Sequence, residues 1–361
     1  MSTVLYRKYR PQKFSQVIGQ VHVVQTLINA LKENMVSHGY LFFGPRGSGK
    51  TSIARLLAKS LNCLNLKLSE PCGSCENCCE IQENRSVDLV EIDAASNRGI
   101  DDIRALKEDI KFAPFKSNYK IFVIDEVHQL TKDAFNALLK TLEEPPSHTI
   151  FILATTDIEK VPATILSRVQ RFDFKKITIK DIKFSLKEII KKEGVQASEE
   201  VLGIIALNAS GSLRDAQSML NQVISFSGKT IKESDVESVL GLVSSVMVSR
   251  FIELLIKKDL KNSLIFLTDL ENNGHDVENL LKSTIEYLRK MLIIKVDFDL
   301  VSLFKEEFSD EEKKIILGQT SIVDAIFLKK LMDNFLIAQN QMKYSDFPKI
   351  PLELAVIECL M

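Results

Sequence analysis

The sequence has 361 residues, of which 45% are hydrophobic and 26% are charged, and its formal net charge is −1 at pH 7. The length predicts two or three domains, and the composition is typical of a soluble globular protein. The balanced charge excludes nucleic-acid binding through a general basic field, so any such contact needs a local basic surface.

The first residues, MSTVLYRKYRPQKF, contain no apolar stretch of signal-peptide length. No apolar run in the sequence approaches about 18 residues, the length of a membrane span. We therefore expect a cytoplasmic protein that has no membrane partner. Thiols stay reduced in the cytosol, so clustered cysteines are expected to bind metal or do chemistry rather than form disulfides.

Residues 38–61 predict a strand, a glycine-rich loop and a helix in that order. The apolar run from Tyr40 to Phe43 is typical of a buried strand, and apolar residues recur at helical spacing from residue 53 to residue 61. Between them, GPRGSGKT (44–51) fits the pattern G-x-x-x-x-G-K-[ST].

Such a loop binds phosphate because its backbone N–H groups converge on phosphate oxygens and the following helix adds the positive end of its dipole. Lys50 can reach the β- and γ-phosphates, and the Thr51 hydroxyl can bind Mg²⁺. A chance glycine-rich loop is the alternative, but the predicted strand and helix around it favour nucleotide binding. The candidate binding residues are Gly44, Pro45, Arg46, Gly47, Ser48, Gly49, Lys50, Thr51 and Ser52.

A cysteine cluster follows the helix, with CGSCENCC at residues 72–79. The best four ligands are Cys63, Cys72, Cys75 and Cys78, since two residues between thiolates let both sulfur atoms face one ion and four thiolates suit tetrahedral Zn²⁺. An iron–sulfur cluster is the alternative, although the ferredoxin pattern continues with x₃-C-P and this sequence does not. Cys79 is surplus to either site. Four protein ligands leave no open position, so zinc catalysis is not expected.

Further buried strands are predicted at residues 87–92, 120–125 and 149–156, with helical patterns between them. Strands that alternate with helices indicate an α/β fold with a parallel sheet covered by helices on both faces. The strand IFVID ends at Asp125, where ligands of parallel sheets bind. Asp125 can hold Mg²⁺, and Glu126 can orient or deprotonate an attacking water, so hydrolysis is favoured over mere binding.

Other polar residues gain meaning from this pairing. Thr155 and Thr156 end the last of these apolar runs and are expected at the same edge of the sheet. Arg168 precedes a predicted short strand, and Arg214 lies in the first turn of a predicted helix. An arginine can neutralise charge that develops on the γ-phosphate, although either residue alone is more commonly a surface or salt-bridged group.

After residue 175 strand signals become scarce and the pattern is helical to the end of the sequence. The expected plan is an α/β domain, a small helical domain and a larger helical domain.

Taken together, these motifs resemble those of a known family. The sequence is similar to the gamma/tau (DnaX) ATPase subunits of the bacterial DNA polymerase III clamp loader, which are AAA+ ATPases. The matching stretches are RKYRPQKFSQVIGQ (7–20), YLFFGPRGSGKTSIARLLAKSLNC (40–63), PCGSCENCCEI (71–81), VDLVEIDAASN (87–97), IDEVHQL (124–130), FNALLKTLEEPP (135–146), LATTD (153–157), ILSR (165–168) and GSLRDA (211–216). They cover the first 220 residues in order, and beyond these only length and helical character match.

The resemblance implies three domains: an AAA+ ATP-binding domain at 1–178 with a zinc module at about 63–80, a helical lid at 179–242 and a helical oligomerisation collar at 243–361. It implies ATP, Mg²⁺ and Zn²⁺ as cofactors.

The resemblance also implies roles for single residues. Thr156, or else Thr155, senses the γ-phosphate, and Arg214 acts as a second sensor from the lid. Arg168 is the arginine finger that acts on ATP bound to the neighbouring subunit. The residues implied to line the adenine pocket are Arg10, Pro11, Val17, Ile18 and Gly19. Cys63, Cys72, Cys75 and Cys78 form a structural zinc module that leaves out Cys79.

The implied function is to hydrolyse ATP while opening the sliding clamp and loading it on primed DNA during replication. The implied partners are other clamp-loader subunits in a pentameric ring, the clamp, and the DNA backbone. Polymerase and helicase are partners only if a longer tail exists, as in tau-type members. The end at LELAVIECLM fits either a shortened chain or a naturally short form.

Two details bear on these implications. Members often have SRC where this sequence has Val169 after Arg168, a difference that keeps the arginine. Basic residues near the second and third predicted strands are candidates for DNA phosphate contact, although a solvated helix face is the simpler interpretation. They are Arg98, Lys107, Lys111, Lys116 and Lys120, together with the polar Asn97.

Two other functions remain open on the residues. A zinc-containing nucleotide kinase would transfer phosphate to a second nucleotide, but it leaves ILSR, GSLRDA and the helical last third unexplained. A purely structural subunit would have no need of Lys50, Thr51, Asp125 and Glu126.

Overall fold

The structure is a computed structural model that describes residues 4–304 and 310–361. The chain divides into two compact units, with the boundary between Ile224 and Ser225.

The first unit combines a parallel sheet with helices. Its strands are β1 (Gly39–Phe43), β2 (Leu89–Asp93), β3 (Lys120–Asp125), β4 (Thr149–Thr155), β5 (Gln170–Asp173) and β6 (Gln196–Ala197). Its helices are α1 (Leu5–Lys8), α2 (Val21–Lys32), α3 (Lys50–Leu61), α4 (Glu76–Gln82), α5 (Ile100–Ile110), α6 (Lys132–Glu143), α7 (Ala163–Leu166), α8 (Ile179–Glu193) and α9 (Glu199–Asn208), and α10 (Leu213–Ser227) contains the unit boundary. Two short 3₁₀ helices span Phe14–Gln16 and Val127–Gln129.

The first five strands form one sheet in the order β2-β3-β4-β1-β5, with every neighbouring pair parallel. The predicted α/β fold class is therefore confirmed. The register pairs Asp93 with Asp125 and Phe43 with Thr155, so the carboxyl ends of the central strands meet at one edge. This edge gathers the residues that the sequence predicted as a nucleotide site.

The sheet is apolar on both faces, which explains its continuous hydrophobic runs. Along β1, Tyr40 and Phe42 lie in one buried cluster while Leu41 lies in the other. Helix α3 supplies Ile53 and its apolar neighbours to the first cluster, and α6 supplies Phe135 and its neighbours to the second. Helices thus cover both faces, as the alternating pattern predicts.

The helices at the end of the first unit begin and end where local chemistry dictates. Thr178 and Ser198 cap α8 and α9, each accepting a hydrogen bond from a backbone N–H of the first turn. Gly194 ends α8 in the left-handed conformation, at φ +66°, which a glycine adopts without steric cost.

The second unit is helical and has a core of its own. Its elements are β7 (Thr230–Ile231), α11 (Glu233–Leu240), α12 (Ser245–Ile256), α13 (Leu260–Asn272), α14 (Val277–Val296), a 3₁₀ helix (Phe298–Phe304), α15 (Asp310–Ile322), α16 (Ala325–Met342) and α17 (Lys349–Leu360). The stacked rings of Phe251 and Phe335, 6.4 Å apart, lie within this core.

No single helix among residues 4–304 and 310–361 is long and apolar enough to cross a membrane. The pair Glu233–Leu240 and Ser245–Ile256, bent by 69°, reaches that length and composition only when its two helices are taken together.

Candidate functional site

The glycine-rich loop lies between β1 and α3, at the carboxyl edge of the sheet. Gly47 has φ +73°, and a Cβ atom there would lie 1.8 Å from Ser212 Oγ, so both backbone conformation and space require glycine. Gly49 precedes α3 at φ +102°. Ser48 donates its hydroxyl to Pro45 O over 2.8 Å, which fixes the turn, while Arg46 is exposed at the tip.

Lys50 is buried, with only 6% of its surface exposed. Its Nζ donates to Gly44 O over 2.7 Å and to Pro45 O over 3.0 Å, so the side chain folds back along the loop. Burial lowers the pKa of Lys50, and the carboxylates of Glu126 and Asp125 oppose this shift. A buried cation in a glycine-rich loop before a helix is suited to a phosphate chain.

Thr51 and Asp125 are hydrogen-bonded to each other. Thr51 Oγ1 donates to Asp125 Oδ2 over 2.7 Å, and Asp125 Oδ1 accepts from the backbone N–H of Glu126 over 3.0 Å. The hydroxyl and the carboxylate come from different elements, α3 and β3. Hard oxygen ligands of this kind fit Mg²⁺ bound beside a nucleotide phosphate.

Glu126 has an unusual backbone, left-handed at φ 49° and ψ 43°. Such conformations in residues other than glycine cluster at functional sites. Thr156 Oγ1 donates to Glu126 Oε2 over 3.0 Å, and His128 Nδ1 lies 3.4 Å from the same oxygen. Position 128 was not singled out from the sequence, because a lone histidine two residues after the acids carries no pattern.

Thr155 differs from its neighbour. It is fully buried, and its hydroxyl donates to Asp157 O over 3.0 Å and lies 2.9 Å from His128 Nδ1. Its hydroxyl oxygen also accepts from the Asp157 N–H. Thr156 is therefore the threonine that is hydrogen-bonded to Glu126, whereas Thr155 stabilises the turn after β4.

Arginines gather near the N-terminal segment. Burial lowers the pKa of Arg10, the positive charge of Arg55 adds to this shift, and Glu91 opposes it. Arg214 contributes further positive charge, and its guanidinium lies 5.0 Å from the centre of the Tyr6 ring. Arg55 is itself held by both carboxylate oxygens of Glu91. Concentrated positive charge of this kind attracts anionic ligands.

The remaining predicted pocket residues lie along residues 11–19. Val17 packs against the apolar cluster under β1, and Gly19 has φ +76°. The adjacent Gln20 is buried, and its Nε2 donates to Ser48 O over 3.3 Å and to Lys175 O over 2.7 Å. Gln20 thus ties the phosphate loop to the chain after β5, a contact that no local pattern predicted.

Arg168 lies apart from the loop contacts. Its guanidinium donates to Thr164 O over 2.7 Å, to Ser167 Oγ over 3.0 Å and to Glu143 Oε1 over 2.6 Å. The side chain is about one-third exposed. These partners belong to α6 and α7 and their ends, so the arginine is presented on another surface of the unit.

The four predicted thiols come together. The sulfur atoms of Cys63, Cys72, Cys75 and Cys78 all lie within 4.8 Å of one another. Zinc–sulfur bonds of about 2.3 Å in a tetrahedron require sulfur atoms about 3.8 Å apart, so the four residues fit Zn²⁺. The Cys79 side chain lies 4.0 Å from Gly73 O, outside this group.

Two of the basic residues considered for DNA contact are engaged elsewhere. Lys120 is buried, and its Nζ donates to Asp109 Oδ1 over 2.7 Å. Lys116 is paired with Glu76 over 2.8 Å and with Glu80. Lys120 is therefore wrong as a surface contact, because it begins the interior strand β3 and is buried.

Three family models match consecutive parts of the chain. They are "DNA polymerase III, delta subunit" over residues 19–178, "DNA polymerase III clamp loader subunit, ATPase lid domain" over residues 181–229 and "DNA polymerase III subunits gamma and tau domain III" over residues 231–361.

Curated relatives align along most of the chain. DNA polymerase III subunit gamma of Buchnera aphidicola (Baizongia pistaciae) is 36% identical over 98% of this chain and 95% of the relative. DNA polymerase III subunit tau of Bacillus subtilis is 44% identical over 98% of this chain, and the tau subunit of Escherichia coli is 41% identical over 81% of it. The chain spans 62% and 46% of the lengths of these two tau subunits.

Among solved structures, the RuvB Holliday junction branch migration motor of Thermotoga maritima is similar at 19% identity. The match covers 69% of this chain and 79% of that chain, with a TM-score of 0.48.

Proposed function

Since the chain belongs to the gamma/tau family of DNA polymerase III subunits, we propose that it is an ATP-hydrolysing subunit of the clamp loader. In this proposal ATP binding and hydrolysis drive the opening of the sliding clamp and its loading on primed DNA during replication. The observation that carries the proposal is the 2.7 Å hydrogen bond between Thr51 and Asp125, beside the buried Lys50. The two proposed Mg²⁺ ligands, which come from separate elements, are thereby brought together next to the lysine proposed to bind phosphate.

The chemistry follows from these positions. Lys50 and the loop N–H groups bind the β- and γ-phosphates, and Thr51 and Asp125 hold Mg²⁺. Glu126 orients and deprotonates the attacking water. Thr156, through its hydrogen bond to Glu126, links the carboxylate to the state of the γ-phosphate.

The other side of the nucleotide is proposed to lie against the N-terminal segment. Arg214 reaches the phosphates from the lid, supported by the Tyr6 ring. The adenine pocket is formed by Arg10, Pro11, Val17, Ile18 and Gly19. The remaining loop residues in contact with nucleotide are Gly44, Pro45, Arg46, Gly47, Ser48, Gly49 and Ser52.

Arg168 acts on ATP held by a neighbouring subunit. This role is supported by its partly exposed position on another surface, where Glu143 holds the guanidinium. The partners are other clamp-loader subunits in a pentameric ring, the sliding clamp and the backbone of primed DNA. A polymerase and a helicase join them where a longer tail is present.

The cysteine module holds one structural zinc ion at Cys63, Cys72, Cys75 and Cys78, within residues 63–80. We place the ATP-binding domain at 1–178, the lid at 179–242 and the collar at 243–361. The cytoplasmic location expected from the sequence stays a prediction.

The test is the rate of ATP hydrolysis with and without primed DNA and clamp, measured with the candidate partner subunits. Stimulation by DNA and clamp is expected, together with its loss in Lys50→Ala. An active Lys50→Ala variant would contradict the phosphate-loop role. Transfer of phosphate to a second nucleotide would instead support the kinase alternative.

A further inference from the structure

The cysteine module contacts residues 10–19, which are proposed to form one wall of the nucleotide pocket. Glu70 lies two residues before Cys72, and its carboxylate accepts two backbone hydrogen bonds from the N-terminal segment: Phe14 N–H over 2.7 Å and Ser15 N–H over 2.8 Å. We propose that the metal module serves as a buttress that fixes residues 10–19 in the shape needed to bind nucleotide.

The geometry of the turn directs Glu70 at this segment. Lys67 and Glu70 form an antiparallel bridge, and the two residues between them, Leu68 and Ser69, have left-handed φ values of 51° and 61°. Left-handed conformations cost energy in residues other than glycine and persist where the surroundings impose them. The module therefore maintains a strained turn, and this turn positions the carboxylate of Glu70.

The backbone N–H groups of Phe14 and Ser15 need a hydrogen-bond acceptor. Phe14 and Ser15 begin the 3₁₀ helix Phe14–Gln16, whose first N–H groups have no acceptor within the helix, and the preceding Lys13 supplies no capping side chain. A carboxylate at this end satisfies two N–H groups and complements their positive partial charge. Phe14 is buried in the core under the sheet. Holding its backbone therefore also fixes the beginning of the segment that leads to Val17 in the proposed pocket.

A second link runs through Lys59 on α3. Lys59 is buried, and its Nζ donates to Gln12 Oε1 over 2.5 Å and to Gln82 Oε1, at the end of α4, over 3.3 Å. Gln12 Nε2 in turn donates to Arg10 O over 2.9 Å. Burial lowers the pKa of Lys59, and the neighbouring thiols, Cys78 foremost, oppose this shift. Lys59 thus joins α4 to Gln12 in the N-terminal segment.

Both links end on residues 10–15, the part of the chain proposed to shape the adenine side of the pocket. When the four thiolates bind an ion, residues 63–78 are fixed, and Glu70 is fixed with them. When the ion leaves, residues 63–78 lose this constraint, and the module no longer imposes the position of Glu70 against residues 14 and 15. The inference rests on nucleotide binding at this site as proposed above.

The test compares two acidic residues of the same module. Glu70→Ala removes the carboxylate that supports the wall, whereas Glu80→Ala removes one that pairs with Lys116 away from it. Zinc content and the dissociation constant for a fluorescent ATP analogue are measured for both variants and for the parent protein. If the wall is ordered in only about one-tenth of the Glu70→Ala molecules, affinity falls about tenfold at unchanged zinc content. Glu80→Ala is expected to match the parent.

Metal removal supplies the second arm. A chelator is expected to weaken nucleotide binding by the parent protein but to have a smaller effect on Glu70→Ala. Metal removal and the substitution both act through the contact of Glu70 with residues 14 and 15, so their effects should not add. Parental affinity in Glu70→Ala with its zinc retained would overturn the inference.

Hydrogen exchange separates this failure from failure of the proposed function. Faster exchange of the Phe14 and Ser15 amides in Glu70→Ala, but not in Glu80→Ala, is expected whether or not nucleotide is present. If the parent binds no nucleotide, the proposed function fails, and the exchange rates alone decide whether the module supports residues 10–19.

Discussion

Thr156 donates a hydrogen bond directly to Glu126, with its Oγ1 atom 3.0 Å from Glu126 Oε2. The two residues follow neighbouring strands, β3 and β4, and meet at the carboxyl edge of the sheet. A hydroxyl that holds a carboxylate can hold it away from water or release it when a phosphate offers a competing acceptor. The relationship distinguishes the two adjacent threonines that the sequence left equivalent.

The two adjacent threonines are expected to differ when each is replaced by valine. Thr156→Val is expected to keep the fold and nucleotide binding but to lower turnover, because Glu126 loses its hydroxyl partner. Thr155→Val is expected to lower stability by about 1–2 kcal/mol, since it removes the hydrogen-bond partner of the buried His128 ring and of the partly buried Asp157 N–H. Thermal melting and single-turnover hydrolysis separate the two variants. If only Thr155→Val turned over slowly while melting normally, the roles of Thr155 and Thr156 would be reversed.

Glu126→Gln is expected to bind ATP with Mg²⁺ but to hydrolyse it about 100-fold or more slowly, because an amide does not accept the proton of the attacking water. Glu126 is half-buried, and glutamine keeps its size. The measurement is turnover in the assembled complex beside nucleotide affinity. Asp125→Asn serves as the comparison and should lose Mg²⁺ dependence as well. Unchanged hydrolysis in Glu126→Gln would contradict the general-base role.

Arg168→Ala is expected to keep ATP binding but to lose at least about 100-fold of the stimulated turnover in the assembled complex. The matched control is Arg171→Ala, three residues on, whose guanidinium pairs with Asp173. Mixing Arg168→Ala chains with chains that carry Lys50→Ala tests action between subunits. Normal stimulated hydrolysis in Arg168→Ala assemblies would remove the finger assignment.

Metal analysis is expected to find about one zinc ion per chain and no iron, since four clustered thiolates complete a tetrahedral site. Cys78→Ser should reduce zinc content, whereas Cys79→Ser should leave it unchanged because Cys79 lies outside the group. Iron with visible absorbance would instead support a cluster of the ferredoxin type.

The contact between α1 and α8 predicts a response to alkaline pH. Burial and the 2.6 Å hydrogen bond to Glu193 raise the pKa of Tyr9 to about 12. The folded pKa lies above the unfolded value near 10, so this stabilisation is complete below pH 10 and is lost as the pH rises through 12. Denaturant unfolding between these pH values should show a decline that Tyr9→Phe reduces. An identical decline in the variant would show that Tyr9 is not its source.

Much of this molecule follows from local pattern. The strands of the sheet are continuous apolar runs because both faces are buried, and the loop between β1 and α3 has a motif whose glycines are required by backbone angles. The spacing of Cys72, Cys75 and Cys78 suffices to predict their grouping, since a chain with two intervening residues curls naturally around one ion.

The contacts that support the site do not follow from the sequence in the same way. Glu70 and Phe14 are separated by 56 positions, and the pairing depends on where a turn directs one carboxylate. Lys120 resembled a surface cation because charge alone was visible, whereas the sheet order makes β3 an interior strand and encloses the side chain. Such contacts are tertiary, so no window of neighbouring residues contains their signal.

Helix α3 begins at Lys50 and ends at Leu61, two residues before Cys63, and its 12 residues extend about 18 Å. A single rigid helix therefore connects the phosphate loop to the segment that begins the thiol cluster. Cobalt(II) held by the four thiolates absorbs visible light, so it would quench a fluorescent nucleotide bound at the phosphate loop by resonance energy transfer. The arrival and departure of nucleotide in a single subunit of an assembly could be followed optically, without attaching a dye to the chain.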